Sequence, residues 1–384
     1  MTIGSNTQTT HACCGLHIHV TGFADATTAA RQALERMGAV DLLPLVHAEI
    51  VTNALGEQLN LRLNTIQAQA WAPGFDTLQL TTTLQLDTSN RPDDLTREIV
   101  VAMLMGPVAF EFPSLDELES AVRIRHNIVQ AARKTTLAFH TSEAERPQDC
   151  WVYDEDYGFV IRPNVSIITA LARATQPDVS GALYSFSCYR ASEYVIVLGI
   201  AQELELCNPG LLQELQTLWA TRPIKSGEFH DVFLREQGTM DCPLPPRYFV
   251  PGDRTWFRNP DEASADASGF EGSWVMYLGG GLFNNFWKRD QPYTLQAKCL
   301  ELYHWRHGLY RDDEGEERIN EAKVAELVEA SLNDPTELAR IIAVMTRYRE
   351  ARGIYTNAGG CIDTTREFSR WVRPGTTDLA LPAH

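Results

Sequence analysis

The chain lacks the features that most quickly assign a protein to a membrane, to nucleic acid or to the cell exterior. Its apolar runs are short: Tyr194–Ala201 is far below the ~20 residues that cross a bilayer as a helix. Basic residues are scarce, with 33 Lys and Arg against 50 Asp and Glu and a formal net charge of −17. Such a surface repels phosphate backbones and anionic lipid heads, so neither nucleic acid nor a membrane is expected as a partner. The opening residues, MTIGSNTQTTHACC, show no basic stretch followed by an apolar one. No secretory signal is read there, and a cytoplasmic protein is expected. Cys-x-x-Cys spacing is also missing, although cysteine occurs at 13, 14, 150, 188, 207, 242, 299 and 361. Scattered thiols in a reducing compartment are mostly small core hydrophobes, with room for one reactive nucleophile.

What is present describes a globular protein. Apolar residues make up 44% and charged ones 22% of 384 residues, enough for a sizeable core in one large domain or two ordinary ones. CGLHIHVT alternates like a half-buried strand, and Ala24–Met37 has helical period ended by Gly38. Gln58–Trp71 and Thr77–Asp87 read as extended, being rich in Leu and Thr at period two. SNRPDD then makes a break before a helix at Leu95–Leu104, which sets a small α+β unit at 1–90. Beyond it, Ser114-x-x-Glu117 opens a helix with capping-box spacing. Strands are expected at Trp151–Tyr153, Gly158–Ile161 and Trp274–Leu278, and helices at Glu316–Ser331 and Asp334–Ala351. Residues 353–384 have no period and are expected to wrap the surface.

Four segments in order carry a family likeness: PVAFEFPSLDELESAVRIRHNIVQAARK from Pro107, CWVYDEDYGFVIRPNVSIITAL from Cys150, GALYSFSCYRASEYVIVLGIAQEL from Gly181, and YFVPGDRTWFRNPDEASADASGFEGSWVMYLGGGLF from Tyr248. Together they resemble the spore-coat type of bacterial protein-glutamine γ-glutamyltransferase, over about 93–350. The resemblance implies an α+β fold with a papain-like core that needs no metal or cofactor, and a domain at 91–352 between the N-terminal unit and the tail. It also implies protein or peptide substrates carrying glutamine and lysine, and Cys188 as nucleophile. That chemistry requires a thiolate to attack the glutamine amide, expel ammonia and leave a thioester for a lysine amine. If Tyr189–Leu204 is helical, Cys188 sits at its N-terminus, where unpaired N–H groups favour an anion. The resemblance further implies that Trp256, Trp274 and Phe283 wall a tunnel leading to the thiol.

The same likeness shows what has been replaced. The family's two glutamates fall on Ser187 and Ser273, and its histidine near Asn285, none of which accepts a proton at neutral pH. General acid–base help is typically worth ~10²–10⁴-fold in rate, so a substitute is needed. Glu271 shares a strand side with Ser273. Glu193 points off the cysteine's helical face, while His304 and His307 are expected as a surface or interface pair; His230 and His126 have no stronger claim. Ser187, Ser273 and Asn285 are left with positioning or oxyanion-hole roles. Elsewhere, His11, Cys13, Cys14, His17 and His19 crowd together without the spacing of a common zinc site, so no metal is expected. Cys242 is followed by prolines that exclude a helix behind it. Two functions fit these residues: a cysteine acyltransferase (or deamidase) acting on glutamine, and an inactive relative whose cleft holds a partner.

Overall fold

Alternating Leu and Ile decide the first sheet. The computed structural model describes residues 14–138, 144–223, 225–352, 355 and 359–382. Leu16–Val20 (β1) buries Leu16, Ile18 and Val20 on one face. Val46–Asn53 (β2) runs antiparallel to Gly56–Leu63 (β3), which buries Leu59, Leu61 and Leu63 and sets Leu61 opposite Leu16. Phe110–Phe112 (β4) adds to β1 in parallel, giving the order β2-β3-β1-β4.

Two segments expected as extended turn out to be partly helical. Asn64 ends β3 and caps the helix Thr65–Trp71, its Oδ1 accepting from Gln67 N at 2.8 Å. Asp76 accepts from Leu78 N at 3.2 Å and starts a 3₁₀ turn that leads into Leu80–Leu84. Caps outweigh the period-two pattern there because a short Asn or Asp side chain satisfies the orphan N–H groups of a first turn. Nor is there a gap in packing near residue 90. β1 shares one core with the helices Leu115–Lys134 and Cys188–Cys207, and Leu78 belongs to a second core with Phe249, Phe257 and Tyr277.

Trp151–Asp154 (β5) and Gly158–Ile161 (β6) form a separate hairpin. The main sheet uses Leu234–Gln237 (β7), Arg254–Arg258 (β8), Gly272–Gly279 (β9), Leu282–Phe283 (β10) and Tyr293–Thr294 (β11). Leu309–Arg311 (β12) and Glu317–Ile319 (β13) make a small ribbon, so the helix expected from Glu316 begins only at Glu321. Arg366–Ser369 (β14) completes the main sheet in the order β11-β10-β9-β8-β14-β7. The tail therefore does not wrap the surface; it supplies an interior strand. Four residues reading REFS carry no usable period, and the buried Arg366 lies over the Phe249 ring at 4.0 Å. Glu117 ties down the chain just beyond β14, accepting from Val372 N, Arg373 N and Thr376 Oγ1 at 2.6–3.1 Å.

The helix Cys188–Cys207 is buried on all sides from Ala191 to Ala201. At Gly199 an added Cβ would come within 2.6 Å of Ile128, so glycine permits its close approach to the helix Leu115–Lys134. Asp253 locks the same helix to the main sheet. Its carboxylate holds Arg125 Nη1 at 2.6 Å and Val250 N at 2.7 Å, all of it buried. Gly252 has φ +90° and packs against Arg125, where a Cβ would meet backbone at 2.9 Å. Among the described residues no helix is long and apolar enough to cross a membrane.

Removing one partner of a buried ion pair leaves the other charge uncompensated, at a cost of about 3–5 kcal/mol. Asp253→Asn should lose stability on that scale in urea unfolding. The double variant Arg125→Met, Asp253→Leu should recover a large part of it. An Asp253→Asn protein as stable as the parent would show that the pair does not anchor the helix.

Candidate functional site

Cys188 is the first residue of its helix and is partly buried. Ser187 is the N-cap, its Oγ accepting from Arg190 N at 3.2 Å. Two backbone N–H groups act on the sulfur and favour its anion: that of Tyr189, in the same first turn, and that of Trp274, on β9. The second is free because β10 is only two residues long. On the open edge of β9, Asn284 pairs with Met276, N to O at 3.0 Å and Met276 N to Oδ1 at 2.6 Å. Trp274 is the next residue whose N–H leaves by that edge, about 7 Å along the strand. Asn284 therefore holds the same edge of β9 two residues beyond Trp274. It is buried, and its Nδ2 has no hydrogen-bond partner.

Charge around the sulfur comes from a residue that sequence reasoning missed. Lys298, in the first turn of the helix Leu295–Gly308, is almost fully buried, and its charge acts on Cys188. Its Nζ donates to Glu301 Oε2 at 2.6 Å and lies 3.5 Å from the centre of the Tyr293 ring. Burial works to strip this ammonium of its proton, but Glu301, Tyr293 and Cys188 together hold its pKa above the ordinary lysine value. Burial pushes the Cys188 thiol up; the Trp274 N–H, the Lys298 ammonium and the Tyr189 N–H oppose the rise, and the Glu271 carboxylate adds to it. The net direction is upward, so the resting sulfur is a thiol. Two N–H donors and one cation do not outweigh desolvation there.

The model of the family described as protein-glutamine gamma-glutamyltransferase matches residues 76–381. The chain belongs to that family. A curated protein-glutamine gamma-glutamyltransferase from Halalkalibacterium halodurans is 25% identical over 194 residues, which are 49% of this chain and 62% of the relative. The match thus spans less than two thirds of that relative. A solved structure, the transglutaminase from Geobacillus stearothermophilus without its C-terminal extension, aligns at 22% identity and a TM-score of 0.38, over 56% of this chain and 98% of that one.

The candidate residues of this transglutaminase-family member have distinct surroundings. Ser187 is occupied as a cap. Asn285 closes its own loop, accepting from Trp287 N and Lys288 N and donating to Gln291 O, each at 3.1 Å. The neighbouring Asn284, not Asn285, reaches the open edge of β9. Ser273 is partly exposed and sits opposite Phe257 in the β8–β9 pair. Glu271 is exposed, and its carboxylate acts on the sulfur. Trp256 and Trp274 are half-buried and stacked, with ring centres 5.9 Å apart. Arg254 lies 3.9 Å from the Trp274 ring and 4.7 Å from that of Tyr189, a fixed cation beneath the two residues whose amides meet the sulfur. Phe283 is a correction: fully buried against Phe249, Phe257 and Tyr277, it has no surface to offer a substrate.

The other candidates are engaged elsewhere. Glu193 is buried, with Arg190 Nη1 at 2.7 Å and Ser226 Oγ at 3.4 Å from its Oε2. His304 is buried rather than on the surface, hydrogen-bonded to Ser331 Oγ at 2.8 Å, with the exposed His307 at 3.1 Å. His126 is half-buried and interacts with Arg133 and Asp93. His230 Nδ1 meets Glu367 Oε1 at 2.9 Å and, with Glu236, offers ligand atoms within 4.8 Å of one another. Arg254 Nε stands 3.2 Å from the same Glu367 carboxylate, and a fixed guanidinium there opposes a divalent cation. Cys242 is exposed in a loop with no helix behind it. His11 and Cys13 lie outside the described residues; His17 is paired with Glu111 at 2.8 Å.

Burial, against Arg190 and Arg254, lifts Glu193 to about 7 from 4.5. Between those values the folded state holds a proton that the unfolded state has released. Stability therefore falls as pH rises through that window, by up to ~1.4 kcal/mol per pH unit for one such group. Glu98, lifted to about 7 by burial, adds a slope of the same sign. Glu193→Gln should reduce the difference in Tm between pH 5 and pH 7; an unchanged difference would refute the assignment. Ser187→Ala should cost about 1 kcal/mol through the lost cap, while Ser187→Asp keeps it. If both changes lower Tm equally, Ser187 is not acting as a cap.

Proposed function

We propose that this chain transfers the acyl group of a protein glutamine side chain to a primary amine, through a thioester on Cys188. The observation that carries this reading is the convergence on one sulfur of two N–H donors from different elements and a buried lysine ammonium. Lys298 takes over the electrostatic part of the family's histidine. Held cationic, it is no proton acceptor; it stabilises the thiolate once that forms. Glu271 is the carboxylate that receives the thiol proton, directly or through one water.

Every proton and bond in the reaction is accounted for. Glu271 takes the proton from Cys188, and the sulfur adds to the amide carbon of the glutamine. The oxyanion so formed is met by the Trp274 N–H and by Asn284 Nδ2, whose missing partner the substrate carbonyl supplies. Collapse breaks the C–N bond. Protonated Glu271 returns its proton to the nitrogen, and ammonia leaves a thioester. A lysine amine then attacks, Glu271 removes its proton, and an amide forms as the thiol is restored. Water in place of the amine gives a glutamate, which is deamidation. No step uses a metal or cofactor, and the stacked Trp256–Trp274 pair offers the aromatic wall for the incoming chain.

A second reading keeps the fold without catalysis, with the cleft holding a protein partner. The raised thiol and the absence of a proton acceptor at Ser187, Ser273 and Asn285 favour it. Labelling of a glutamine-bearing protein with a fluorescent primary amine separates the two. The wild type should label and Cys188→Ser should not; equal labelling by both would sink the first reading. Lys298→Met should move the pH midpoint of Cys188 alkylation by iodoacetamide upward by about one unit, at unchanged far-UV circular dichroism. An unmoved midpoint would remove Lys298 from the mechanism.

A further inference from the structure

A cavity of about 280 Å³ opens beside the cap of the nucleophile helix, with Ser187 and Arg190 in its lining. In a chain of net charge −17, the lining holds, among the described residues, three cations, Arg146, Arg190 and Lys225, and no aspartate or glutamate. Arg190 is paired with Glu193. Arg146 is different. It is nine-tenths buried, its guanidinium 3.5 Å from the centre of the Phe186 ring, and it donates only to neutral oxygens. These are the Tyr194 hydroxyl at 3.1 Å and the carbonyls of Glu145 and Ser185 at 2.5 and 3.3 Å. No carboxylate pairs with it among the described residues. Burial lowers its pKa and the charge of Arg190 adds to that, while the Tyr194 hydroxyl and, more weakly, the charge of Glu193 oppose it. A buried charge without a counter-ion is costly to retain. Trp219, also in the lining, has a buried Nε1 with no hydrogen-bond partner. At the mouth, Tyr153 and Tyr157 stand exposed on the β5–β6 hairpin.

We propose that this cavity receives the carboxylate of an aspartate or glutamate in the substrate protein, a few residues from the glutamine that reaches Cys188. The anion supplies the missing partner of Arg146, and the exposed tyrosines cover the apolar stem of the same segment. The chain thus selects glutamines in acidic surroundings, in spite of its own negative surface. The proposal rests on the Cys188 reading for the glutamine, but the binding it describes is measurable without catalysis.

The test uses the full chain as Cys188→Ser, titrated calorimetrically with two blocked peptides. Each carries one glutamine, preceded in one by two glutamates and in the other by two further glutamines. The acidic peptide should bind at least tenfold tighter at low salt, as one charge-assisted contact implies. Lys225→Glu, a change at an exposed position, should cut that preference at least threefold, and Arg146→Gln should abolish it. Equal binding of the two peptides would overturn the proposal, as would a preference that survives in a folded Lys225→Glu variant. Inorganic phosphate competing as well as the acidic peptide would mark a small-anion site and overturn it too. Should the acidic peptide bind as described while wild type fails to label glutamine, the catalytic reading falls and the cavity stands.

Discussion

The structure depends on one long helix, Cys188–Cys207, being packed on every side while its first turn stays at an opening. Its middle is enclosed by the helices Leu115–Lys134 and Ile167–Thr175 and by β9. A helix so enclosed has no freedom to slide, because interiors are packed at crystal density. Gly199 against Ile128 and the Arg125–Asp253 pair fix the neighbouring helix and sheet to each other. The sulfur of Cys188 is therefore brought to the open edge of β9, at the one stretch where β10 stops short and leaves the Trp274 N–H unclaimed.

Opposed forces meet at that sulfur. Burial favours the neutral thiol, while backbone dipoles and the Lys298 ammonium favour the thiolate, and burial wins in the resting protein. A site in this balance responds to its occupant. Filling the opening leaves less water to compete with the N–H donors and with Lys298, so each is worth more in the lower dielectric. Glu301 and Tyr293 bracket the ammonium and help it to keep its proton against burial.

Much of the frame was legible in the sequence. Ser114, Asp334 with Pro335, and the alternation of β1 each announced an element, because caps and period are local properties. The resemblance placed Cys188 at the head of a helix that its own β-branched content did not demand. Other parts were not readable. Phe283 sits in a glycine-flanked aromatic segment like a tunnel wall, and only the packing of Phe249, Phe257 and Tyr277 around it shows that it is core. Asn284 and Asn285 are adjacent and identical; the strand register gives one the edge of β9 and the other a loop. Lys298 offered no motif, since a lysine in an amphipathic helix is ordinarily solvated.

By itself the sequence determined several of the helices and strands and the family, because these depend on neighbours a few residues apart or on motifs in fixed order. Tertiary structure alone decided which charges reach the sulfur, that β14 enters the sheet between β8 and β7, and that among the described residues no carboxylate pairs with Arg146. The physical reason is the same for all three. Each depends on which groups lose water together, and desolvation is set by contacts between residues tens to hundreds of positions apart.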